Sequence, residues 1–181
     1  MSESSAPGGI RNDGLLGIYC NDHLAAATGG VELVSRMVGA HRGTRFEEPL
    51  RDLLAQLKEE RSTLTSMMTA VGVPVRQYKQ LATWVGEKVS RLKLNGYLLS
   101  RSPMSSVIEF EFISTAVLGK RAGFETLRAI ADVDSRLDAA ELDRLIAQAD
   151  RQHEWLTEAR REIAAEVWGG RAESASESAG R

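Results

Sequence analysis

Leu50, Leu53, Leu57, Leu64, Met68 and Val71 fall at spacings of three, four or seven positions, and the same pattern recurs along most of the chain. A period near 3.6 lines such residues up on one face of an α-helix but scatters them over both faces of a strand. The chain is therefore restricted to helices that bury one stripe against one another, and nothing in it alternates for long with period two.

Five segments carry the pattern. The first, Asp13 to His41, presents Leu16, Tyr19, Cys20, Ala27, Val31, Val34 and Val38, with Gly29-Gly30 marking a close helix contact or slight kink. The second, about Thr44 to Val71, is capped by Thr44 and stopped by Gly72 and Pro74. The third, about Val75 to Leu99, presents Leu81, Trp84, Val85, Val89 and Leu92. Ser102 caps the fourth, with Pro103 at its first position, where the missing N–H costs nothing. This segment is apolar all round, which predicts a helix enclosed on most sides. Asp138-Ala-Ala-Glu141 resembles a capping box and opens the fifth, predicted to end near Trp168. Long helices on short connections predict an all-α antiparallel bundle of four to five helices over residues 13–168. The polar residues 1–12 and the Gly-, Ser- and charge-rich 169–181 bury too little to order themselves and are expected to be disordered tails.

Composition narrows the function classes. Lys and Arg total 23 against 25 Asp and Glu, a net charge of −2, which disfavours nucleic acid as a partner. One cysteine excludes an internal disulfide and a Cys-rich zinc site. No apolar run reaches the roughly 18 to 20 residues that span a bilayer, and no secretory signal opens the chain. A soluble cytoplasmic protein without a membrane partner is the expectation.

Charged residues that interrupt apolar stripes are the informative ones, because a buried charge needs a partner or a metal. Glu60 interrupts Leu53, Leu57 and Leu64; Glu111 interrupts Met104, Ile108 and Leu118; Lys88 interrupts Leu81, Val85 and Leu92. His23 borders the first stripe, and Asp150 with His153 the fifth. Folding the third segment back on the fourth about Arg101 sets Arg91 opposite Glu111 and Lys93 opposite Glu109, with Lys88 in reach of the same carboxylates. Lys88, Arg91, Lys93, Glu109 and Glu111 then form a structural charge network that specifies register. The alternative is a di-metal carboxylate centre, in which Glu-x-x-His pairs present both ligands on one helical face.

In its bundle pattern, and in Glu59-Glu60-Arg61-Ser62-Thr63 and Asp150-Arg151-Gln152-His153, the chain resembles the ferritin-like superfamily. LLGIYCNDHLAAATGGVELV, EKVSRLKLNG with RSPMSS, and ADRQHEWL look like a group of actinobacterial proteins labelled ferritin-like, a similarity covering roughly residues 14–168. The resemblance implies a helical bundle and, under the alternative, iron or manganese held by Glu60, Glu111, Asp150 and His153 for oxidoreductase or hydroxylase chemistry. Two positions depart from that pattern: Thr63 stands where a histidine is expected, and Asp150 where a glutamate is. Depth is a further objection, since His23 and Glu111 fall roughly 15 Å apart along the bundle axis.

Cys20 and His23 lie one turn apart, but a lone cysteine on an apolar face reads as a small buried hydrophobe. Gly119 and Gly123 lie within a helix and serve close packing rather than a phosphate loop. Trp155 falls on a polar face, where it either anchors a partner or folds over its neighbours. A small-molecule pocket lined by Tyr19, Met68 and Trp84 also fits the chain. The expected role is a non-catalytic interaction or scaffold bundle that needs no cofactor and pairs with itself or another protein.

Overall fold

A computed structural model describes residues 13–76 and 103–178. It shows an all-α bundle of α1 (Asp13–Ala40), α2 (Glu47–Ala70), α3 (Pro103–Ala131) and α4 (Ala139–Ser178), with no strand among the described residues. The predicted third helix lies outside these residues, and with it Trp84, Lys88, Arg91 and Lys93, as do residues 1–12 and 179–181. No helix among the described residues is long and apolar enough to cross a membrane.

Short connections fold α1 onto α2 and α3 onto α4, and α1 also packs along α3. The hairpin ends follow from local chemistry. Gly72 adopts φ +78°, which lets the N–H of Val73 reach the carbonyl of Met68 at 2.8 Å and that of Gly72 reach Thr69 at 3.1 Å. This is the left-handed glycine stop read from the sequence. Asp138 caps α4 as predicted, its Oδ1 accepting from the N–H groups of Ala140 at 2.9 Å and Glu141 at 3.1 Å. The Glu141 carboxylate is drawn to Arg144 at 2.7 Å.

Three boundaries differ from the sequence reading. Helix α2 begins at Glu47 rather than Thr44, because the Thr44 hydroxyl closes a turn, donating to the carbonyl of His41 and accepting from the N–H of Phe46. Helix α4 continues past Trp168 to Ser178. Half of the added residues are alanine, arginine or glutamate, none is proline, and two glycines weaken a helix without blocking it. Helix α3 is not enclosed all round: Phe112 and Leu118 are exposed, whereas Phe110, Ile113, Val117, Phe124 and Leu127 are buried. Its contacts with α4 and α1 cover one broad side.

Two apolar cores form along the bundle. One gathers Val34, Met37, Leu50, Leu53, Phe110, Ile113, Leu156 and Ile163, and the other Leu16, Cys20, Leu64, Met68, Phe124, Leu127, Leu142 and Leu145. Helix α2 passes from the first core at Leu57 to the second at Leu64, and α3 does so between Val117 and Phe124. Glu60 and Lys120 occupy the intervening positions, so their layer separates the cores. Buried Asn21 ties the chain beyond α2 to α1: its Nδ2 donates to the carbonyls of Gly17 and Pro74, and its Oδ1 accepts from the N–H of Arg76 at 2.7 Å.

Candidate functional site: a buried polar layer beside an apolar cavity

Glu60 is 2% exposed, and both of its oxygens are hydrogen-bonded within the chain. Its Oε2 accepts from the Lys120 ammonium, and its Oε1 from the amides of Gln148 and Gln152, both at 2.9 Å. Lys120, 16% exposed, also donates to Gln152 Oε1, and Gln152 donates to Gln56 at 2.7 Å. The layer thus joins α2, α3 and α4. Burial pushes the Lys120 ammonium below its ordinary 10.5, with the Glu60 charge and hydrogen bond opposing that shift. A buried pair gains most when hydrogen bonds compensate its desolvation, and Gln148 and Gln152 supply them here, with Gln56 holding Gln152 in place.

Beside this layer, between α1, α2 and α3, lies a cavity of about 220 Å³. Ala27, Leu57, Leu64, Ile113 and Val117 contribute apolar wall, and Glu60 and Lys120 contribute polar wall. Small residues open the space: Gly30, Ala26, Ala27, Ala116 and Gly119 all lie on the lining. Tyr19, Cys20 and His23 border it from α1. Burial raises the Cys20 thiol to about 11 and lowers the His23 imidazole despite the nearby Asp22 charge, so both are neutral at pH 7. They do not form a thiolate–imidazolium pair.

The His23 ring packs against Tyr19, with centroids 4.5 Å apart, and lies over Gly123. A Cβ at Gly123 would come within 2.8 Å of the ring, so Gly123 does serve close packing. Gly119 meets nothing within 4 Å and does not. Alanine at a helical glycine ordinarily gains about 1 kcal/mol. Gly123→Ala is expected to lose that gain to ring displacement in the native chain and to recover it, as a rise in urea midpoint, when His23→Ala is also present. Equal effects of Gly123→Ala in both backgrounds would contradict the contact.

The other residues singled out from the sequence lie apart from this layer. Glu111 is exposed on α3, because the buried side of that helix carries Phe110, Ile113 and Val117; the predicted partner Arg91 is outside the described residues. Glu109 is half-buried and engaged. Asp150 is exposed and paired with Arg121 at 2.5 Å. The His153 ring shares a hydrogen bond with the Ser114 hydroxyl at 3.0 Å. Among the described residues, no group of three or more His, Cys, Asp or Glu side chains is placed to hold a metal. Trp155 folds inward, its ring 6.0 Å from Phe110. Tyr19 borders the cavity as expected, whereas Met68 is core.

Lys120 was the residue missed. Ile113, Val117, Lys120, Phe124 and Leu127 follow the helical stripe, so the criterion that singles out Glu60 also singles out Lys120. The apolar character of α3 all round hid which stripe faced inward.

Fold and site together define a helical bundle with a self-neutralised polar layer against an apolar cavity. Comparison with protein families, with curated proteins and with solved structures found no match.

Proposed function

We propose that this protein is a non-catalytic binding module of ferritin-like architecture that holds a small, mainly apolar molecule between α1, α2 and α3. The supporting observation is the cavity of about 220 Å³, walled by alanine, glycine and aliphatic side chains at the junction of three helices. An engineered apolar cavity of about 150 Å³ is enough for benzene, so this space suits a molecule of roughly ten non-hydrogen atoms. The small residues that keep this space open include Ala27 and Gly30 on one helix and Ala116 and Gly119 on another.

The binding reading is favoured over a di-metal oxidoreductase by what the carboxylates already do. Glu60 has Lys120 as its cation, Asp150 has Arg121, and Glu111 faces solvent. Lys120 supplies beside Glu60 the positive charge that a metal ion would supply in a carboxylate centre.

The test is thermal unfolding of the full chain with 1-octanol. A ligand present at 100 times its Kd should stabilise the folded state by about 2.7 kcal/mol. Ala27→Leu adds three carbons inside the cavity, leaving too little room for an eight-carbon chain, and should abolish the stabilisation while leaving the helical signal intact. Absence of a saturable effect in the native chain, or its survival in Ala27→Leu, would refute the proposal.

A further inference from the structure

We propose that the bound molecule is a medium-chain monocarboxylate, with its apolar tail in the cavity and its carboxylate paired with Arg61 and Lys120. The inference rests on the binding-module reading above and adds the chemistry of the head group.

The hydrogen-bonding capacity of the lining is unbalanced. Glu60 already accepts three hydrogen bonds, from Lys120 on Oε2 and from Gln148 and Gln152 on Oε1. One acceptor position on its Oε2 is left for an incoming group, and it lies beside the Lys120 ammonium, which repels a cation. Lys120 donates to Glu60 and Gln152, which leaves one of the three protons of an ammonium for a further acceptor. Arg61, half-buried on α2 next to Glu60, also lines the cavity, and no carboxylate is paired with it among the described residues. Its guanidinium presents donors in a fork that matches a carboxylate.

The charge balance points the same way. Among the described residues of the lining, Glu60 and Lys120 cancel, His23 and Cys20 are held neutral by burial, and Arg61 leaves one positive charge in excess. A single carboxylate neutralises it, and an amine would double it. The tail length follows from the volume: about 220 Å³ accommodates a chain of roughly eight carbons.

Isothermal titration of the full chain at pH 7 with octanoate, 1-octanol and octylamine tests this, because the three probes share a tail and differ in the head. Octanoate is expected to bind at least about tenfold more tightly than 1-octanol, a difference of about 1.4 kcal/mol, and octylamine more weakly than either. Arg61→Gln should bring octanoate close to the affinity of 1-octanol while leaving 1-octanol unchanged. Ala27→Leu should abolish binding of both. Equal affinity for acid and alcohol, tighter binding of octylamine, or no effect of Arg61→Gln on octanoate would overturn the head-group assignment and leave the cavity reading standing. Failure of all three probes to bind would overturn the binding-module reading itself. Octanoate binding that survives Ala27→Leu would place the anion outside the cavity and overturn the assignment.

Discussion

Glu60→Ala is expected to destabilise the fold by about 3 to 5 kcal/mol, since it strands the Lys120 ammonium in the interior. It also removes the acceptor of Gln148 and Gln152, whose amides are then left without it. The loss should depend on pH with a definite sign. Lys120 already lies below its ordinary 10.5 because of burial, and the carboxylate is what opposes that shift. Without Glu60 its folded-state value falls further. The unfolded chain then holds more protons than the folded one between that value and the ordinary one, so the variant gains stability as pH rises through this window. A neutral pair, Glu60→Gln with Lys120→Met, should restore most of the loss. The new amide still accepts from Gln148 and Gln152, and Gln152 Oε1, released by Lys120, can accept from it. Urea unfolding of the single variants and the double should give a coupling energy of about 2 kcal/mol or more. Additive single effects would show that the two charges do not act as a pair.

Phe110→Ala should cost a similar amount, about 3 to 5 kcal/mol, for a different reason. Phe110 is fully buried where α3 meets the α1–α2 connection and α4. Its ring meets His41 at 5.5 Å, Phe46 at 5.6 Å and Trp155 at 6.0 Å. Truncation leaves a void walled by the α1–α2 connection and by Trp155 in the middle of α4, which close-packed neighbours fill only by moving. The near-UV dichroism of Trp155 should weaken with it. Because Phe110 is not part of the cavity lining, octanol binding should persist in the folded fraction. Stability within about 1 kcal/mol of native would mean that the aromatic cluster is not the anchor of this core.

Much of the architecture was legible because it depends on short-range rules. Leu50, Leu53, Leu57 and Leu64 announced α2 through their spacing, Gly72 its end, and Pro103 and Asp138 the starts of α3 and α4. Each rule depends on backbone geometry within one or two turns. Thr44 shows where such rules stop: its hydroxyl had two local uses, and the turn before the helix took it. The buried role of Glu60 was legible from its place on a stripe, but its partner was not. Helix α3 offers apolar residues on every side, so the chain does not say whether the side with Lys120 or the side with Glu111 turns inward.

By itself, then, the sequence determined that this protein forms long helices with hairpin stops and that Glu60 needs a counterpart, because periodicity and desolvation act at the level of single segments. Only the tertiary structure decided that Lys120, with Gln148 and Gln152, is that counterpart and that a cavity opens beside them. The physical reason is rotation. A turn of one helix about its axis by a single residue costs little locally, yet it exchanges the side chains that meet across the bundle. That choice is settled by the joint packing of α1, α2, α3 and α4, which no one segment encodes.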